Sequence, residues 1–463
     1  RTCLLARDPF GIKPLYFHGN SERLVFASET RALIASRLIE RMVDARGLHG
    51  YFRTGSVPEP RTLLRDVHCL EAGHTMLWRA GRSTTRRYWT LDFTPKEITA
   101  PEAVTDTRRA LLDSVAHHFI SDVPVGVFLS GGIDSTALVA LARTLRRTEL
   151  HTYSISFPGL PADEGGLARR TAEHFGTRHA EWPLDATTGR ALFGQFLQAM
   201  DQPSIDGLNT FTVARFARDQ GMKVVLSGLG GDEIFGGYKS FREVPRLARW
   251  NKRLHRAGLV RLGAQALLRR ASRPPLRRLG EMFGQPTQLN SAYAALRGTF
   301  TAAEATALTL HFTGETVTDE STTEVTCTDP TPEDSVSRLE LTRYMKNQLL
   351  RDSDVMSMAH GLELRVPFLD LPLMSAVAHV PASLRLQRGK KFLLQAVPEV
   401  PDWISQQPKR GFLFPFEQWL GTEWREVFGE LDRTCSVPMQ TWYRKWAVFV
   451  FEHWREREFA RAQ

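Results

Sequence analysis

Cysteine is scarce in this chain. Cys3, Cys69, Cys327 and Cys435 are four in 463 residues, and no two stand in a C-x-x-C spacing. That excludes a disulfide scaffold and a paired-cysteine zinc site, and it fits a reducing, cytoplasmic setting. No run approaches about 18 uninterrupted apolar residues, so a membrane span is excluded and no membrane partner is expected. No G-x-x-x-x-G-K-[ST] occurs, which excludes a Walker A phosphate loop. Lysine is sparse as well: 10 of the 60 basic residues, the other 50 being arginine. A net charge of +9 admits nucleic acid or anionic substrates as partners, but arginine-biased coding accounts for it too, and nucleic acid is not expected. Hydrophobic residues at 42% and charged residues at 24% exclude a mainly disordered chain, and the length suggests two or three domains. The chain opens on Arg1 and an apolar run, Thr2–Ala6, with no start methionine and no signal-peptide layout, so it is read as N-terminally truncated.

Residues 1–92 read as short strand-like pieces separated by turns, for example Pro14–Phe17, Arg23–Ala27 and Thr75–Trp78. Residues 93–103 read as a linker. From 104 the pattern becomes alternating helices and apolar strands. A helix over about 104–119 precedes a strand at Val125–Leu129. A helix from Asp134, a strand at Thr152–Phe157 and a helix from Asp163 to Gly176 come next. A helix over about 209–219 and a strand at Lys223–Ser227 complete the series. Such alternation implies a parallel sheet covered on both faces, hence an α/β domain over 104–463. Residues 242–278 hold twelve Lys or Arg and one acid, Glu243, interleaved with Leu, Val, Ala and Trp250; they are read as a solvated basic helix face. Residues 313–335, rich in Thr, Glu and Asp, are read as a mobile acidic loop.

The strongest single motif is Leu129-Ser130-Gly131-Gly132-Ile133-Asp134-Ser135, between a buried strand and a helix start. That context aims backbone N–H groups and the positive helix end at one spot. Gly131 and Gly132 allow close approach of a phosphate. Ser130 and Ser135 add hydroxyl donors. Asp134 would repel a bare phosphate, so it is expected to hold Mg²⁺ bound to the phosphates. A second strand runs into Ser227-Gly228-Leu229-Gly230-Gly231-Asp232-Glu233-Ile234-Phe235-Gly236-Gly237-Tyr238. Two glycine-rich loops at the carboxyl ends of parallel strands, each with an Asp, would grip one Mg–pyrophosphate from two sides.

The first loop resembles the pyrophosphate loop of the ATP-pyrophosphatase superfamily (adenine nucleotide α hydrolase-like). The pair of loops resembles the synthetase domain of glutamine-dependent asparagine synthetases of the bacterial B type. Asp201-Gln202-Pro203, the stretch Asn347–Ala359, Glu363–Asp370, Gly389–Leu394 and Pro408-Lys409-Arg410-Gly411-Phe412 continue the likeness in order over about 105–425. Ala6–Tyr16 and Phe26-Ala27-Ser28-Glu29 are similar to the later half of the family's glutaminase domain, a class II glutamine amidotransferase with an N-terminal nucleophile. The implied architecture is a partial glutaminase β-sandwich remnant ahead of the synthetase domain.

The resemblance implies attack of an acid's carboxylate on the α-phosphate of MgATP, giving an acyl-adenylate and pyrophosphate; ammonia then displaces AMP. The cofactors are ATP and Mg²⁺, and the substrates aspartate or a similar acid with ammonia or glutamine. It puts backbone groups of Leu129 and Ile155 at the adenosine, and Ser227 and Gly228 by the α-phosphate and ribose. Asp134 and Asp232 hold the metal. Lys409 matches the family's adenylate-stabilising lysine, and Lys391 is a second cation candidate for the phosphates. A homodimer is left open. Two departures stand out. Cys3 is neither terminal nor placed as a nucleophile and is read as core, so glutaminase activity is expected to be absent from this chain. Leu229 stands where asparagine synthetases usually carry Glu, which leaves the acceptor acid open. A truncated sandwich should expose Phe26, Leu33 and Ile34 and be poorly soluble. Relatives that amidate or cyclise other carboxylates, a tRNA-modifying pyrophosphatase and a non-catalytic binding protein are the competing readings. The glutaminase-like segment opposes the second, and the intact Asp134, Asp232 and Lys409 oppose the third.

Overall fold

A computed structural model describes residues 2–145, 149–160, 163–286, 288–317, 329–407, 414–428 and 437–459. Its strands are β1 (Thr2–Ala6), β2 (Tyr16–Gly19), β3 (Leu24–Ala27), β4 (His68–Cys69), β5 (His74–Arg79) and β6 (Arg82–Arg87), then β7 (Val125–Phe128), β8 (His151–Ser156), β9 (Arg178–Pro183), β10 (Val224–Leu226) and β11 (Glu363–Arg365). The last five form one sheet in the order β11-β10-β7-β8-β9, and every neighbouring pair is parallel. Val127, Val225 and Leu226 are fully buried, as strands covered on both faces require. From β7 the chain steps outward through β8 to β9, then returns to the other side of β7 with β10. The strand order therefore reverses between β7 and β10, where α/β sheets form their ligand crevice. The register sets Leu226 beside Val127, so the two loops leave the sheet side by side.

The helices fall close to their expected places: α3 (Ala100–His118), α4 (Ile133–Leu145), α5 (Gly165–Phe175) and α7 (Leu208–Asp219), with α6 (Ala186–Ala199) unforeseen. α3 starts before 104 because Thr99 and Glu102 form a reciprocal capping box there. The expected linker packs onto the α/β part of the chain. Phe93 is buried, and the N–H groups of Thr94 and Lys96 donate to the carbonyls of Ala378 and His379 at 3.0 and 2.9 Å.

Residues 2–92 depart further from expectation. They hold two antiparallel three-stranded sheets, β1-β5-β6 and β3-β2-β4, and also two helices, α1 (Thr30–Ser36) and α2 (Ala45–Thr54). Both helices depend on distant groups. The carboxylate of Asp201 accepts from the N–H groups of Thr30 and Arg31, both at 2.9 Å, and so caps α1 from the α/β part of the chain. Leu33 and Ile34, expected to be exposed, are buried in the shared core as a result, while Phe26 stays half exposed. On α2, Tyr51 and Phe52 are fully buried against Phe451 of the C-terminal helix Trp442–Phe459, and the Tyr51 hydroxyl donates to the Ala447 carbonyl at 2.7 Å. Cys3 is partly buried beside Leu5, Leu70 and Met76.

Residues 318–328 of the expected acidic loop, with Cys327, and also Cys435, lie outside the described residues. The loop reading fails at its other end. Thr331 caps a helix at Pro332–Leu339, which runs on through a wide-turn π-helical stretch, Glu340–Leu350, into a helix at Arg351–Met358. No helix among the described residues is long and apolar enough to cross a membrane.

Candidate active site

The first loop closes on itself at the end of β7. Its start is anchored by the Leu129 N–H on the Tyr153 carbonyl, 2.9 Å. The Ser135 hydroxyl lies 3.1 Å from that of Ser130 and donates to the Gly132 carbonyl at 3.2 Å. Gly131 sits at φ +74°, and a Cβ there would stand 2.7 Å from the Leu167 Cβ. A side chain there would be strained at this φ and would force Leu167 to move.

The second loop leaves β10 with Ser227 still in the ladder, its N–H on the Arg365 carbonyl at 2.9 Å. The short helix α8 (Gly231–Phe235) follows. Glycines set the contact between the loops. A Cβ on Gly228 would stand 3.0 Å from the Ser135 N, and one on Gly231 would stand 2.6 Å from the Asp134 Cγ. Gly230, at φ +99°, rests on Phe368 and Leu369, which gives the Val366–Asp370 segment its part: it supports the second loop from below.

Asp134 and Asp232 converge on one cation, and it is Lys390. Its Nζ lies 2.5 Å from Asp134 Oδ1 and 2.5 Å from Asp232 Oδ1. Lys390 is 3% exposed. Burial favours its neutral form, yet the two carboxylates outweigh burial and hold its pKa above the usual lysine range. The expected second lysine, Lys391, is instead exposed at the start of the helix Lys391–Ala396. Gly389 at φ +72° and Lys390 at φ +55° reverse the chain in two left-handed steps, and this turns Lys390 inward and its neighbour out. The one local hint was the glycine before the pair.

Leu129, Ser130, Gly131, Gly132, Asp134, Ser135, Ser227, Gly228 and Asp232 all line a single cavity of about 1450 Å³. Ile155 does not: its side chain is buried in the core that also holds Leu33 and Tyr51, and β8 meets the cavity through Tyr153 and Ser154. Lys409 lies outside the described residues.

The opposite wall includes residues of the Asn347–Ala359 stretch, which the sequence marks as part of the likeness but gives no role at the site. Tyr344, Gln348 and Asp352 recur every four residues along the π-helical stretch and its continuation, and its wide turn keeps all three on the cavity side. Asp206, ahead of α7, faces the same space. Asp352 is buried and accepts from the Ser204 hydroxyl. Burial pushes its pKa up to about 7, against the pull of Arg351. Glu233 is also buried, with Oε1 accepting from the Tyr238 hydroxyl at 2.8 Å; burial first, then Asp232, pushes its pKa up to about 8.

Fold and site together define a doubly covered parallel-sheet protein with a charged crevice where its strand order reverses. Residues 106–457 match the family described as asparagine synthase, and residues 1–89 match the glutamine amidotransferase domain. The chain belongs to the asparagine synthase family. It is 31% identical to a Bacillus subtilis protein named asparagine synthetase [glutamine-hydrolyzing] 1, over 97% of this chain and 74% of that one. It is 34% identical to a Mycobacterium tuberculosis protein named putative asparagine synthetase [glutamine-hydrolyzing], over 91% of this chain and 66% of that one. A Gibberella zeae protein named amidase chry2 is 26% identical over 94% of this chain and 71% of its own length.

Proposed function

We propose that the chain is an ATP-dependent amide ligase that makes asparagine from aspartate and ammonia. In this reading the aspartate side-chain carboxylate attacks the α-phosphorus of ATP. The bond to the bridging oxygen breaks and pyrophosphate leaves. Ammonia then adds to the acyl carbon, and AMP departs with the carboxyl oxygen as one proton leaves the nitrogen. The observation that carries the reading is the meeting of Asp134 and Asp232, from two glycine-rich loops, on Lys390 at the strand reversal. The domain is read as the ATP-pyrophosphatase type, working in the cytosol beside a glutaminase-like segment.

The donor set fits Mg²⁺. No cluster of three or more His, Cys, Asp or Glu able to hold a metal occurs among the described residues. Magnesium does not need one, because it is commonly held by one or two carboxylates and the substrate's own phosphates. Asp134 and Asp232 supply that pair. The ion, when bound, would neutralise charge on the leaving pyrophosphate. The backbone of the two loops would orient the phosphates, and Lys390 would keep the two carboxylates together and add a positive charge beside them.

The test is product analysis with MgATP, aspartate and ammonium chloride. AMP, pyrophosphate and asparagine in equal amounts are expected. ADP and phosphate would overturn the reading. AMP and pyrophosphate with an acid other than aspartate would keep the adenylation and move the acceptor, the outcome to which Leu229 draws attention.

A further inference from the structure

We propose that a basic helical hairpin on this protein docks on the surface of an anionic lipid bilayer. The hairpin is α9 (Ser240–His255) and α10 (Gly258–Arg269), joined by Arg256 and Ala257. It is rooted at the cavity, where Arg242, Pro245 and Arg249 of α9 form part of the lining. From there it runs to the periphery. α10 has no buried residue. It lies against α9 and α11 (Pro274–Phe283), with Ala264 and Leu268 packed on the small core that holds Met282 and Phe283, and with the Arg261 guanidinium donating to the Phe283 carbonyl at 2.9 Å.

That contact uses one side of α10. The other side is apolar too. Leu259 is 87% exposed, Leu267 74%, Val260 64% and Leu262 52%, and Trp250 on α9 is 52% exposed. Leu259, Leu262, Gly263, Ala266 and Leu267 recur at helical spacing, so the exposed residues form a stripe. Lys252, Arg253, Arg256, Arg269, Arg270 and Arg273 are exposed around it. The single acid of the segment, Glu243, is paired within α9 with Arg242 and Arg246. A solvated basic face, the reading from sequence, accounts for the arginines and leaves Leu259 and Leu267 facing water.

Charge and shape choose the occupant. The stripe lies on a peripheral helix. A second copy docked through the same face would set these cations against their equals. Nucleic acid would match the cations but bring phosphates onto aliphatic side chains. An anionic bilayer satisfies both: the aliphatic groups enter the headgroup–acyl boundary, Trp250 sits at its edge, and the cations stay with the headgroups. The excluded membrane span is no obstacle, since such a helix lies in the interface plane.

The experiment is sedimentation of the full chain with vesicles of phosphatidylcholine alone and of phosphatidylcholine mixed with phosphatidylglycerol. Binding at least about tenfold stronger to the mixed vesicles, weakened by salt, is expected. Leu259→Glu with Leu267→Glu should reduce that binding by about tenfold or more while leaving the melting temperature and ATP turnover unchanged. Arg256→Gln with Arg270→Gln should reduce the preference for the anionic lipid. Absence of sedimentation with either vesicle would overturn the proposal. So would vesicle binding that survives the double glutamate variant, or a concentration-dependent dimer that the same variant abolishes.

Discussion

Glu59 and Asp352 are both buried carboxylates, one where the N-terminal segment meets the synthetase part and one on the cavity wall. Burial pushes each toward its neutral form. At the junction it loses: the Lys346 ammonium at 3.3 Å and the Arg7 guanidinium at 2.8 Å hold Glu59 below the usual carboxylate range. On the wall it wins. The nearest Arg351 nitrogen is 3.8 Å away, Asp206 adds like charge, and Asp352 is pushed up to about 7. Cation geometry, not depth, separates the two. The junction holds its charge permanently, as a clamp between segments far apart in sequence. The wall keeps a group that gains or loses a proton near neutral pH, in the same cavity as the two loops.

The largest effect expected falls on acids that must remain ionised for the proposed chemistry. Asp134→Asn should lower ATP-dependent turnover by about 100-fold or more, the scale for removing one electrostatic stabiliser, with far-ultraviolet circular dichroism unchanged. Wild-type turnover would show that this carboxylate belongs with structural acids like Glu59. Next is Glu59→Gln, which leaves Arg7 and Lys346 facing each other without their counter-charge. It should cost about 3–5 kcal/mol of stability, measured by denaturant unfolding. A loss under about 1 kcal/mol would erase the distinction between clamp and wall.

Asp352→Asn sharpens the comparison through pH. The folded state binds this proton more tightly than the unfolded chain, since the pKa rises from 3.8 to about 7 on folding. Its contribution is therefore full below about pH 4 and is lost as pH rises through about 7. The groups that face it are Arg351, Asp206, Tyr51 and Ser204. The melting temperature of the wild type should fall relative to that of the variant across this window. Parallel curves would mean that Asp352 titrates as an ordinary surface acid. The smallest effect is expected from Tyr238→Phe, which takes the hydroxyl from Glu233 Oε1; a loss of about 1–3 kcal/mol in thermal unfolding is expected. No loss would show that Glu233 finds another donor.

Both glycine loops could be read from the residues because their geometry is local. A strand end, a helix start and glycines where a Cβ would collide are all encoded within about a dozen positions. Asp201-Gln202-Pro203 was noticed without its task. Asp201 caps α1 and Gln202 accepts from the Leu63 N–H at 3.0 Å, contacts that join residues far apart in the chain. α1 and α2 depend likewise on distant groups: α1 takes its cap from Asp201, while α2, capped locally by Asp44 and Gly55, is held by packing on Phe451 and by the Tyr51 bond to Ala447.

By itself, then, the sequence determined the alternating strands and helices, the paired loops with Asp134 and Asp232, and the family to which those loops point. Periodicity and turn chemistry act over a few residues and survive without context. Tertiary structure alone decided that Lys390 and not Lys391 enters the site, that Asp352 shares a cavity with Asp134, and that Glu59 is held ionised while Asp352 titrates near neutral pH. Each of those outcomes depends on which groups meet across long stretches of chain, and on how much water is excluded when they do.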